Sequence, residues 1–199
     1  MTRPLIYYMR HGETDWNVAG RLQGRRNVEL NARGRAQAAH CGEILRTLLA
    51  GDGHDAAALD YVSSPLKRAS RTMEIVRETL ALDPAGYRTE ERLAEISFGD
   101  WEGLTIAQLR ARDPQRIATR EHDKWHFIPP GGESYQAVAA RMREWQEGLD
   151  RAAVVTAHGG TARGLIANLG IAPERAAPLI DIEQGVVYRF DGGDMVRFG

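Results

Sequence analysis

A chain of 199 residues, 43% hydrophobic and 27% charged, has enough apolar material to bury a core within one domain and too little compositional bias for disorder or a fibre. Its formal net charge of −1 gives no global attraction to nucleic acid or to an anionic membrane, so any anion site has to be built locally. One cysteine, Cys41, excludes an internal disulfide and reads as a small buried hydrophobe, and the start lacks the apolar stretch of a secretory leader, so a soluble cytoplasmic protein is the expectation.

Along the chain, Leu5 to Met9 is an unbroken apolar run of strand length. Asn31 is placed to cap a helix running to about Ala50, with Ala36, Ala39, Ile44 and Leu48 on its apolar side, before Gly51-Asp52-Gly53 interrupts it. Leu59 to Val62 reads as a second strand. Ser64-Pro65, a cap residue followed by proline, predicts a helix start, with Leu66, Ala69, Met73, Val76 and Leu80 as its buried stripe.

Thr105 and Gln108 have the spacing of a capping box for a short helix that ends near Asp113-Pro114. Residues 115 to 132 carry no regular pattern. A further helix starts at about Ser134 and presents Val138, Met142, Trp145 and Leu149 at helical spacing. Ala152 to Ala157 is a buried strand that stops at His158-Gly159-Gly160, where another helix follows. Gly185 to Phe198 reads as a hairpin turning at Asp191-Gly192-Gly193-Asp194.

Strands alternating with helices predict an α/β fold in three α/β/α layers around a mostly parallel sheet, and such folds place their sites beyond the carboxyl ends of strands. Three such ends carry chemistry: Arg10-His11-Gly12, Ser63-Ser64-Pro65 and His158-Gly159-Gly160. The organisation expected is one domain over residues 1 to 199, with a variable, cap-like segment at about 95 to 132.

A phosphoryl-transfer site without a metal needs a nucleophile, cations for the phosphate oxygens and a proton donor for the leaving oxygen. His11 fits the first role if a carbonyl holds one ring nitrogen and frees the other. Gly12 would let the backbone turn and admit a phosphate. Arg10 and Arg68 offer the forked donors that suit phosphate, and His158 could add another donor. Glu13, Glu95, Glu102 and Glu133 all sit near glycine-rich turns, and spacing alone leaves the acid unchosen among them. His122 and His126 are four apart, but no third ligand accompanies them and no metal is expected. Trp125, Phe127 and Tyr135 suit a substrate wall and a core equally well.

Six blocks in order, "RHGETDWN" at 10, "GRLQG" at 20, "SSPLKRASRT" at 63, "LAEISFGDWEG" at 93, "PGGESY" at 130 and "AHGGTAR" at 157, resemble the histidine phosphatase superfamily, which includes cofactor-dependent phosphoglycerate mutases and many small phosphatases. The resemblance implies a phosphoglycerate mutase-like fold with a mixed sheet between helical layers and no metal or other cofactor. It implies that His11 becomes phosphorylated, that Arg10, Arg68 and His158 hold the phosphoryl group and that Glu95 is the proton donor. Thr14 and Asn17 match positions that touch the phosphate or its neighbours, and Gln23 and Gly24 fall in a block assigned to substrate binding.

The same resemblance weighs the reactions. Mutases of the family carry an arginine-pair cluster between the acid and the second histidine, whereas only 62 residues lie between Glu95 and His158 and no Arg-Arg pair occurs there. Position 23 is Gln, where mutases usually have Thr. The expectation is therefore a metal-independent phosphatase acting on a small phosphorylated metabolite, with a phosphoglycerate mutase and a non-catalytic phosphate-binding relative as alternatives. A homodimer is compatible with it; nucleic-acid and membrane partners are not expected.

Overall fold

In a computed structural model that describes residues 4 to 199, the chain forms six strands and seven α-helices among the described residues. The order is β1 (Ile6–Arg10), α1 (Asp15–Val18), α2 (Ala32–Gly51), β2 (Asp60–Ser63), α3 (Lys67–Thr79), β3 (Arg88–Thr89), α4 (Ile106–Arg112), α5 (Pro114–His122), α6 (Tyr135–Glu147), β4 (Ala153–Ala157), α7 (Gly159–Leu169), β5 (Val187–Asp191) and β6 (Asp194–Phe198). They build one sheet in the order β3-β2-β4-β1-β5-β6. The first four are parallel to one another, and the β5–β6 hairpin adds antiparallel strands at the edge.

Strand periodicity explains the layers. On β1, Ile6 and Tyr8 join the core beneath α6 and α7, while Tyr7 and Met9 face the other way and pack with Cys41, Leu45 and Leu49 of α2 and Met73 and Val76 of α3. Both faces are covered, which is why β1 and β4 read as continuous apolar runs rather than alternating ones.

Three readings of the sequence change. The fully buried stripe of α2 is Gly34, Ala38, Cys41, Leu45 and Leu49; Ala39, Ile44 and Leu48 pack beside it partly buried, and Ala36 is exposed. A methyl group on Gly34 would lie 2.1 Å from the Glu13 carbonyl, and this close approach fixes how α2 is rotated. The helix after β2 starts at Lys67 rather than at Pro65, because Ser64 does not cap it and turns its hydroxyl to His158 instead. Residues 114 to 122, which overlap the least regular stretch at 115 to 132, are helix α5: Asp113 accepts from the Arg116 amide, Pro114 opens the first turn and Ile117 is buried with Trp101 and Leu109.

Candidate active site

Parallel pairing brings the three chemical strand ends into one row. Arg10 pairs with Ala157 and Ser63 with Thr156, so the next residues, His11, Ser64 and His158, emerge side by side at the carboxyl edge of the sheet. The amide of His11 donates to the Ala157 carbonyl at 2.9 Å and that of Ser64 to Thr156 at 3.0 Å. The two histidine rings lie 5.2 Å apart, and both residues are buried.

His11 Nδ1 is 2.7 Å from the Gly12 carbonyl oxygen. A carbonyl can only accept, so Nδ1 carries the hydrogen and Nε2 keeps its lone pair. Burial, reinforced by the Arg68 and Arg10 guanidinium charges, holds the imidazole well below its ordinary pKa, and the contact to Gly12 opposes this only in part. The result is a neutral imidazole with a free lone pair in a cationic setting. At Gly12 a methyl group would lie 2.1 Å from the Gly34 carbonyl oxygen, so the residue allows contact with the first turn of α2.

The cations are held by backbone carbonyls. Arg10 Nη1 donates to Ile182 O at 2.7 Å; Arg68, fully buried, donates from Nη1 to Arg26 O at 2.7 Å and from Nη2 to Gly24 O at 2.8 Å. Burial pushes the Arg68 guanidinium down to about 10 and lowers that of Arg10, with the Glu95 charge opposing in both cases. His158 Nε2 is 2.7 Å from Ser64 Oγ. That hydroxyl accepts from the Leu66 amide and keeps a hydrogen and a second lone pair, so it can serve Nε2 in either tautomer of the ring. Arg10 Nε, Arg68 Nε and His158 Nδ1 are all buried without a hydrogen-bond partner among the described residues. Each such buried polar group costs about 1 to 3 kcal/mol if left unpaired, and a phosphate has oxygens for both guanidinium nitrogens and for an imidazole N–H.

Glu95 stands on the first turn of α7, its Oε1 accepting from the Gly160 amide at 3.0 Å and from Ile96 at 2.9 Å. A methyl group at position 160 would lie 2.2 Å from that oxygen, so Gly160 makes the seat for the carboxylate. The other acids of the glycine turns are engaged elsewhere: Glu102 with Arg26, Glu133 with Arg25 and Arg141, and Glu13 with Asn31 and Arg33.

Thr14 and Asn17 cap each other at the start of α1, and the Asn17 Oδ1 accepts from the Thr14 amide and from Gln184 Nε2, both at 3.1 Å. Gln184 also donates to the His11 carbonyl at 3.0 Å; it ties the nucleophile's loop to the start of the hairpin, and no sequence signal singles it out. Gln23 is buried with its Oε1 unpartnered. Gly24 serves through its carbonyl on Arg68 and has φ +51, with Glu102 filling the space where a side chain would stand. Tyr8, which in the sequence is one apolar strand residue among several, donates its hydroxyl to the His158 carbonyl at 2.7 Å.

The aromatic residues divide: Trp125 is core, Phe127 stacks on Trp101, and Tyr135 accepts at its hydroxyl from Arg163 Nη1 at 3.4 Å. Helix α5 ends at His122, so His126 lies beyond it and pairs with Asp123 at 2.8 Å. Among the described residues no three His, Cys, Asp or Glu side chains are grouped as metal ligands. No helix there is long and apolar enough to cross a membrane.

The family model described as histidine phosphatase superfamily (branch 1) matches residues 6–195. A glucosyl-3-phosphoglycerate phosphatase of Mycobacterium tuberculosis is 39% identical over 178 residues, which cover 82% of this chain and 74% of that protein. A 2,3-bisphosphoglycerate-dependent phosphoglycerate mutase of Methylobacterium radiotolerans is 33% identical over 203 residues, covering 96% of this chain and 92% of that protein. The crystal structure of the α-ribazole phosphatase from Shigella flexneri superposes with a TM-score of 0.80 at 26% identity, over 96% of this chain and 93% of that one. A match over nearly the whole chain, with the fold and the strand-end histidines in place, makes this protein a member of the histidine phosphatase superfamily.

Proposed function

We propose that the protein is a metal-independent phosphatase that hydrolyses small phosphate monoesters through a phosphohistidine on His11. The reading rests on one observation: three buried nitrogens, Arg10 Nε, Arg68 Nε and His158 Nδ1, lack hydrogen-bond partners among the described residues beside a neutral histidine whose Nε2 lone pair is free. In the first step Nε2 attacks phosphorus while the bond to the ester oxygen breaks, and Glu95 delivers its proton to the departing alcohol. Arg10, Arg68 and His158 hold the three non-bridging oxygens as they pass through the transition state. In the second step Glu95, now a carboxylate, takes a proton from water; the hydroxide equivalent attacks phosphorus, the N–P bond breaks and inorganic phosphate leaves.

The substrate is a small phosphorylated metabolite, and such charged compounds, confined by membranes, put the enzyme in the cytoplasm. Glucosyl-3-phosphoglycerate phosphatase and α-ribazole phosphatase relatives support hydrolysis. The mutase relative favours the second reading, transfer between two hydroxyls of one substrate, and the absence of an Arg-Arg pair between Glu95 and His158 opposes it. The test is release of inorganic phosphate from a monoester panel in the presence of EDTA, with acid-labile, base-stable labelling by a phosphorus-32 substrate. Turnover that His11→Ala leaves intact, or none by the wild type, would refute the proposal; interconversion of monophosphoglycerates without net phosphate release would replace it with the mutase.

A further inference from the structure

The loop that carries His11 is fixed by groups that the chemical steps do not use. His11 leaves β1 with its amide donating to the Ala157 carbonyl at 2.9 Å, and its ring is oriented by the Gly12 carbonyl, 2.7 Å from Nδ1. That carbonyl belongs to a glycine, which has no side chain to restrict its backbone, so its direction depends on how the preceding peptide is held. The His11–Gly12 peptide is clamped at both ends. Its N–H donates to the Thr72 hydroxyl of α3 at 3.1 Å, and that hydroxyl donates to the Arg68 carbonyl at 2.7 Å; its carbonyl accepts from Gln184 Nε2 at 3.0 Å.

Gln184 is half-buried in the segment before β5, 173 residues further along the chain. A backbone N–H can only donate and a backbone carbonyl only accept, so the Thr14 amide at 3.1 Å identifies Oδ1 of Asn17, and the His11 carbonyl identifies Nε2 of Gln184. The two side-chain amides are then complementary, Nε2 donating to Oδ1 at 3.1 Å. Gln184 thus gives both Nε2 hydrogens to the loop, one at the nucleophile's own peptide and one at α1 just beyond it. Its neighbours hold the cations: Ile182 O accepts from Arg10 Nη1 at 2.7 Å and Ile180 O from Arg163 Nε at 2.9 Å, and Gln184 itself bridges Arg10 in parallel register.

We infer that Gln184 is a positioning residue for phosphoryl transfer: its two donated hydrogen bonds hold the His11–Gly12 peptide, and with it the Gly12 carbonyl that aims Nε2 of His11 at phosphorus. The inference rests on the phosphatase reading and adds to it a residue that acts through His11. A nucleophile displaced by about 1 Å loses about 10²-fold in rate, so release of this peptide is felt in the chemical step and not in substrate binding.

The test uses two substitutions of nearly equal length that cannot make these donations at neutral pH, Gln184→Met and Gln184→Glu, and follows phosphohistidine formation by acid-stopped single turnover with p-nitrophenyl phosphate under saturating conditions. Both rate constants are expected to fall about tenfold or more while KM stays within about threefold of wild type. A rate constant at saturation does not count folded molecules, so loss of stability by itself does not reproduce this result. Either variant within about twofold of wild type, or a loss confined to KM, overturns the positioning role and leaves the phosphatase intact. No phosphohistidine and no phosphate release by the wild type from any ester overturns both.

Discussion

The carboxyl edge of the sheet and the α4–α5 segment above it are built by opposite rules. At the sheet edge Arg68 is buried and Arg10 half-buried; neither has a carboxylate at ion-pair distance among the described residues, and both are held by the carbonyls of Ile182, Gly24 and Arg26. In the α4–α5 segment Arg110 and Arg116 are mostly exposed and paired with Glu121 and Asp113. A guanidinium neutralised by a carboxylate has little left for a phosphate, whereas one held by carbonyls keeps its full charge. In these two regions backbone ligation leaves the arginine charge available for an anion, and ion pairing consumes it.

Substitutions can break this contrast in order of expected effect. His11→Ala removes the proposed phosphoryl acceptor, and phosphate release should fall on the order of 10⁴-fold with the circular dichroism spectrum retained. Arg68→Ala removes a proposed hydrogen-bond donor to the phosphate and strands the Gly24 and Arg26 carbonyls, so kcat/KM should fall about 10²- to 10³-fold and the melting temperature with it. Gly12→Ala places a methyl group against the Gly34 carbonyl and should lower stability by about 1 to 3 kcal/mol in urea unfolding. At the other end of the scale, Arg116→Ala in the exposed segment should cost less than about 1 kcal/mol, with the turnover rate within about twofold of wild type.

The pH dependence sharpens the same contrast. His11 and His158 are held neutral in the folded state, well below the ordinary histidine pKa, so the unfolded chain binds more protons between their folded values and about 6.5. Stability is fully present above that pH and declines as pH falls below it, by up to about 1.4 kcal/mol per pH unit for each histidine. Urea midpoints at pH 6.5 and 5.5 should differ more in the wild type than in His158→Gln. An equal difference would mean that His158 is not held neutral.

Strand ends are legible in the sequence because a buried parallel strand must be apolar and the residue after it is free to be chemical. Asn31, Thr105 and Ser134 announce their helices through the side-chain oxygens that cap them. What stays hidden depends on contacts between distant segments. The rotation of α2 follows from Gly34 meeting Glu13, and Ser64 reads as a helix cap although its partner is a histidine 94 residues away. Choosing Glu95 over the other acids needs the resemblance to a family, since only folding reveals that Gly160 makes room for it. Helix α5 does carry a local signal in Asp113-Pro114, but the same pair also reads as the end of α4, and one residue serves both helices.

The strand order also has a consequence for synthesis. β4, one of the last elements made, lies between β1 and β2, two of the first. Until residues 153 to 157 have left the ribosome and slotted between them, His11 and Arg68 have no second histidine and no common floor. A chain emerging from its N-terminus is thus chemically silent for most of its length, and the appearance of activity reports closure of the central sheet.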